Sequence, residues 1–127
     1  MREEQNRIRI LVVDDNELSL RTMQKSFRLN GYCVDAEKNQ NTAISKHLEN
    51  NYDLIISDIM MPDLDGYQLT ELIKSKTPDT KIILFTGFYT KDKIEKGKAA
   101  GADEVYPKPL PIIEILENLN QIKKEKL

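Results

Sequence analysis

The chain has no tryptophan, one cysteine and one histidine. Cys33, being alone, closes no internal disulfide and builds no cysteine-rich zinc site, which points to a reducing compartment. No apolar run approaches the roughly 20 residues of a membrane helix, so neither a membrane span nor a membrane partner is expected. The opening stretch, MREEQNRIRI, is too charged for a secretory signal, and a cytoplasmic location is expected. An excess of one charge is also missing: 19 basic against 21 acidic residues leave a formal charge of -2, which selects no partner class. Internal repeats and low-complexity tracts are absent. The 127 residues suffice for one domain with a real core, read as spanning 1–127 with its core at about 8–119.

What is present is two hydrophobic patterns taking turns. Short runs beginning at Ile8, Tyr32, Asp53, Lys81 and Asp103 have strand length, and three of them are nearly continuous in aliphatic or aromatic residues. Continuous runs predict parallel strands covered on both faces. Between them lie amphipathic stretches, marked by Leu20, Met23 and Phe27, by Ile44 and Leu48, and by Leu69, Leu72 and Ile73. Gly31 and Pro78 supply stop signals, a fourth helix carries Gly97 inside it, and a fifth opens near Pro111 and fades into KKEKL. Strands alternating with helices predict an α/β fold with a doubly wound parallel sheet. In such sheets ligands bind outside the carboxyl ends of the strands.

Those ends collect polar residues: Asp14 and Asp15 after the first run, Asp58 after the third, Thr86 after the fourth and Lys108 after the fifth. Carboxylates held close together stay ionised only by sharing a cation. Mg²⁺ fits such a set, because it takes one or two carboxylates and keeps positions for water and phosphate oxygens, with Mn²⁺ as the substitute. A lysine and a hydroxyl nearby complete a phosphoryl site in which Asp58 is the nucleophile.

At these residues the chain resembles the receiver domains of two-component response regulators, in the manner of the chemotaxis regulators. The resemblance rests on VVDDNE, SDIMMPDLDG, FTG and GADEVYPKPL, in order and in spacing, and covers about Ile8 to Leu119. It implies a flavodoxin-like (βα)5 sheet with strand order 2-1-3-4-5. It also implies that Asp58 accepts a phosphoryl group from a histidine kinase or histidine phosphotransfer protein, with Mg²⁺ held by Asp14, Asp15, Asp58 and the backbone carbonyl of Met60. Thr86 and Lys108 would contact phosphoryl oxygens, and the Lys108-Pro109 bond would be cis. The surface of helix 4, strand 5 and helix 5 would then change and meet a downstream target, an effector domain or a second receiver, a phosphorylation-dependent homodimer. The implied domain is a phosphoacceptor that assists its own phosphorylation and slow dephosphorylation, rather than an enzyme with a separate substrate.

Blander readings stand beside these. Taken alone, Asp14 and Asp15 before a helix read as a cap with first-turn charge. The segment from Asp63 to Gly66 is no calcium loop, because that register puts Met61 at the first ligand position and Leu72 at the twelfth; it reads as the turn that starts helix 3. His47 reads as a partly buried surface residue on a helical stripe. Lys91, Lys93, Lys96 and Lys98 make helix 4 basic; a solvated face is the simplest account, selection of an acidic partner the sharper one. No recognition helix or aromatic-interleaved basic groove suggests nucleic acid. Two alternatives of other classes are a flavin or nucleotide binder, disfavoured because no glycine-rich phosphate loop follows the first strand, and a pseudo-receiver that only binds proteins.

Two positions, 105 and 87, depart from the family pattern. The usual switch aromatic, three residues before the lysine, is Val105, with Tyr106 one place later and so on the opposite face of the strand. Glycine, at Gly87, follows Thr86 where alanine is commoner. Met60 and Phe88, two beyond Asp58 and Thr86, are bulky and apolar along the path of a hydrolytic water, which predicts a slowly hydrolysing aspartyl phosphate.

Overall fold

A computed structural model of the chain describes residues 8–62, 64–111 and 113–117. The expectations for Asp63, for the first residues and for the KKEKL end fall outside these. Strands β1 (Ile10–Val13), β2 (Val34–Glu37), β3 (Leu54–Asp58), β4 (Lys81–Thr86) and β5 (Glu104–Pro107) alternate with helices α1 (Glu17–Leu29), α2 (Gln40–Asn50), α3 (Gly66–Lys76) and α4 (Lys91–Ala100). Helical residues 113–117, called α5, follow β5. All pairings are parallel, in the order β2-β1-β3-β4-β5. The expected doubly wound α/β fold is therefore the observed one.

Alternation along the strands divides the core in two. Ile10, Val12, Leu54, Ile56, Ile83 and Phe85 pack on one face with Leu20, Met23 and Phe27 of α1 and Ile115 of α5. Leu11, Val13, Ile55, Ile82, Leu84 and Val105 pack on the other with Ala43 and Ile44 of α2 and Leu69 and Ile73 of α3. Both faces of the sheet are covered, as continuous apolar strands require. Leu48 and Leu72, which the helical stripes place inward, are instead exposed. Their stripes are one residue narrower than the spacing suggests.

Side chains fix where the helices start. Asn16, Asn39 and Thr90 accept from backbone amides at the starts of α1, α2 and α4. Asp65 and Gln68 form a reciprocal capping box at α3. Gly101, at φ +112°, closes α4 in a left-handed conformation that other residues rarely adopt.

At the amino rim of the sheet, His47 is fully buried, which corrects the reading of a partly buried surface residue. Its Nδ1 accepts from the Tyr52 amide at 3.1 Å, so the ring proton sits on Nε2 and is donated to Thr77 Oγ1 at 2.9 Å. Thr77 in turn donates to the Ile73 carbonyl and accepts from Thr80 Oγ1. One neutral imidazole thus ties the end of α2 to the α3–β4 connection.

Candidate phosphoryl site

Parallel strands ending at one level bring four of the sequence-selected residues together. Asp58 is the last residue of β3, Asp14 and Asp15 follow β1, and Lys108 follows β5. Asp14, Asp15 and Asp58 each offer a carboxylate oxygen within 4.8 Å of the others. Lys108 Nζ lies 3.2 Å from Asp58 Oδ2 and 3.3 Å from Asp14 Oδ2. Asp14 is fully buried, Asp58 is 6% exposed and Asp15 faces solvent.

Backbone amides orient the two buried carboxylates. Asn16 N–H donates to Asp14 Oδ1 at 3.0 Å, and Met60 N–H donates to Asp58 Oδ1 at 3.1 Å. The cap of α1 is therefore Asn16, which frees both preceding aspartates from the capping role that the local sequence allows. Behind Asp58 the backbone is crowded. A Cβ on Gly66 would sit 2.8 Å from the Asp58 carbonyl oxygen and 2.8 Å from Ile59 Cα, so glycine lets α3 start directly against the peptide that follows Asp58.

Burial pushes the Asp58 carboxyl above its ordinary value; the Met60 amide and the Lys108 ammonium pull it back, and Asp14 adds to the rise. Burial also pulls on Lys108, downward, but Asp58 and Asp14 together outweigh it and hold the ammonium above its usual range. Both values rise, for different reasons: enclosure disfavours the Asp58 carboxylate, whereas two neighbouring carboxylates favour the ammonium of Lys108, which reaches the site from a partly exposed stem. An enclosed carboxylate with one lysine for two or three negative charges is a site that lacks positive charge.

Thr86 ends β4 one residue beyond Phe85, the register partner of Asp58. Its buried hydroxyl accepts from the Phe88 amide at 3.2 Å, and among the described residues no hydrogen bond joins it to the carboxylates. The Lys108-Pro109 bond is cis, as the resemblance implies. Val105 is buried against the α3 and α4 side, while Tyr106 packs on the α1 and α5 side. Two contributors escaped the sequence reading. The Asn16 amide left no signal beyond its position, and Phe85, whose ring lies under the Lys108 ammonium, was hidden in an apolar run.

The donor set suits a hard divalent cation: three clustered carboxylates, two of them buried, with charge that a single lysine leaves uncompensated. Receiver domains generally bind Mg²⁺ in such an acidic pocket.

Comparison with known proteins gives the class. The family model for the response regulator receiver domain matches residues 10–120. The response regulator MprA of Mycobacterium sp. (strain KMS) is 31% identical over 115 residues, covering 91% of this chain and 50% of that protein. The transcriptional regulatory protein ResD of Bacillus subtilis (strain 168) is 35% identical over 114 residues, covering 90% of this chain and 47% of that protein. The chain thus spans about half the length of these curated relatives. Among solved structures, a receiver domain protein from Clostridium thermocellum superposes with a TM-score of 0.85 at 26% identity, covering 94% of this chain and 96% of that one. The beryllofluoride-activated NtrC4 receiver domain dimer superposes with a TM-score of 0.83 at 32% identity, covering 92% and 97%. The chain belongs to the response regulator receiver domain family, the receiving half of two-component systems, whose members interact with histidine kinases and downstream effectors. Among the described residues no helix is long and apolar enough to cross a membrane.

Proposed function

We propose that Asp58 is the phosphoacceptor and that a histidine kinase or histidine phosphotransfer protein is its donor. The observation that carries this reading is the buried Asp58 carboxylate, 3.2 Å from Lys108 Nζ and grouped with Asp14 and Asp15. An Asp58 carboxylate oxygen attacks phosphorus in line, the bond from phosphorus to the donor's imidazole nitrogen breaks, and that nitrogen keeps the electron pair. Lys108, already beside Asp58, neutralises charge on the transferring group. Thr86 uses only an acceptor site in its bond with Phe88, so its proton serves a phosphoryl oxygen. Asp14, Asp15, Asp58 and the Met60 carbonyl would hold Mg²⁺, which when bound supplies the positive charge that the phosphoryl oxygens need. The Asn16 and Met60 amides keep Asp14 and Asp58 aimed at that position.

On this reading the domain is a signalling acceptor that promotes only its own phosphorylation and slow dephosphorylation. The surface of α4, β5 and α5 is the output that meets a target, an effector domain or a second copy. Its working compartment is the cytoplasm, where the kinase's phosphohistidine is made. The intact site argues against a binding-only pseudo-receiver.

Intact mass after incubation with acetyl phosphate and Mg²⁺ tests this directly. One phosphoryl group is expected on the wild type, and none on Asp58→Asn or on a metal-free sample. Phosphate on Asp58→Asn, or none on the wild type with either acetyl phosphate or a phosphohistidine donor, would overturn the reading.

A further inference from the structure

Lys108 is the one long, flexible group in the cluster. A lysine side chain loses rotamer entropy before it can hold one position. Its two carboxylate partners are poor permanent anchors for a phosphoryl-transfer site. The charge on Asp58 moves outward onto the phosphoryl group when the acyl phosphate forms, and Asp14 belongs to the acidic set that suits a cation. A third contact involves neither carboxylate: Lys108 Nζ lies over the ring of Phe85, 5.1 Å from its centroid. That separation is within the range in which the negative face of an aromatic ring attracts a cation.

Phe85 is well placed to be such an anchor. It is 1% exposed, packed with Ile83, Ile56 and the α1 side chains, so the ring itself is held by the core. It is the register partner of Asp58, and its carbonyl accepts from the Ile59 amide at 3.0 Å, which joins the nucleophile's strand to the ring's strand. Leucine or methionine would fill the same core position without offering a negative face.

We propose that Phe85 is a positioning residue for phosphoryl transfer, its ring face holding the Lys108 ammonium beside Asp58 throughout the reaction. The inference rests on Asp58 being the phosphoacceptor. It predicts a dependence on the electronics of one buried ring, which core packing alone does not produce.

The test replaces Phe85 site-specifically by mono-, di- and trifluorophenylalanine, which nearly preserve shape and progressively weaken the ring's negative face. Phosphorylation by acetyl phosphate and Mg²⁺ is followed by intact mass, and stability by urea unfolding. The expected result is a stepwise fall in rate, about three- to tenfold across the series, with the urea midpoint held. In Phe85→Leu the rate should fall into the same range, and the upfield ring-current shift of the Lys108 ε-methylene protons should disappear. Equal rates across the fluorinated series, with a phosphorylated wild type, would overturn this inference alone, as would the absence of that ring-current shift in the wild type. A wild type that takes no phosphoryl group from any donor overturns the reading of Asp58, and the inference with it.

Discussion

Single side chains around the site differ sharply in exposure, and the difference bears on how long a phosphoryl group would last. Asp58 is enclosed, whereas Met60 is 62% exposed and Phe88 is 72% exposed, both at the rim. Neither offers a hydrogen bond with which to hold an attacking water. Replacing them together with asparagine and glutamate should speed loss of the aspartyl phosphate by about tenfold, a polar contact to the attacking water being worth on the order of 1.4 kcal/mol in the transition state. The decay of the phosphorylated mass after removal of acetyl phosphate measures it, and an unchanged decay would show that the rim does not govern hydrolysis. Much of this scale was legible in the sequence, because carboxylates, a threonine and a lysine at the ends of apolar runs have few other reasons to be there. Phe85 was not legible. Within KIILFTG it is one apolar residue among several, and only the register with Asp58 reveals what its ring faces.

Between elements, α4 lies close against β5. Gly97, which sequence alone prices as a weak point in a helix, is the residue that permits it: an added Cβ would lie 2.7 Å from Val105 Cγ2. Two effects then compete in Gly97→Ala. Helix propensity favours alanine by about 1 kcal/mol, while overpacking a full core contact costs roughly 1–3 kcal/mol. Valine is stiff at χ1 and cannot swing aside, so the clash wins. Gly97→Ala should lower the stability to urea by about 1 kcal/mol net, and Val105→Ala in the same chain should recover most of that loss beyond its own cavity cost. Additive effects of the two changes would refute direct packing between them. The same contact gives a physical meaning to the missing aromatic at position 105: a small side chain there and no side chain at 97 are one arrangement. The sequence shows each half, but not that they touch.

Across the whole molecule, chemistry and bracing occupy opposite rims of the sheet. The carboxylates and Lys108 lie at the carboxyl ends of the strands, and His47 with Thr77 and Thr80 lies beyond the amino ends. Burial pushes the His47 imidazole below its ordinary value, so the folded chain resists protonation that the unfolded chain accepts. Stability from this residue is full above the unfolded value of about 6.5 and is lost as the pH falls from there through the depressed folded value. Asp58, whose carboxyl is raised, has the opposite sign and is stabilising in its protonated form. In an Asp58→Asn background, urea midpoints should therefore fall between pH 7.5 and 5.5, and His47→Asn should be less stable at pH 7.5 but flatter across that interval. An equal slope in both chains would exclude His47 as the titrating group. Strand number, sheet type and the polar rim were legible from periodicity and from the rule that ligands gather at strand ends. The opposite rim was not, because a histidine on a helical stripe looks the same whether it meets water or two threonines.

The position of Lys108 late in the chain also sets an order in time. It follows Asp58 by 50 residues and Asp14 by 94, so on a ribosome adding roughly 5–20 residues per second Asp58 is made about 3 to 10 s, and Asp14 about 5 to 19 s, before their lysine. In the folded chain β1, β2 and β3, which carry or precede Asp14, Asp15 and Asp58, are the centre and one edge of the sheet, and all three precede β5 and Lys108 in sequence. Until β5 is made, the three clustered carboxylates lack the lysine that the folded chain sets 3.2 Å from Asp58 and 3.3 Å from Asp14. The last of the described strands to be made is therefore also the one that brings the site its lysine.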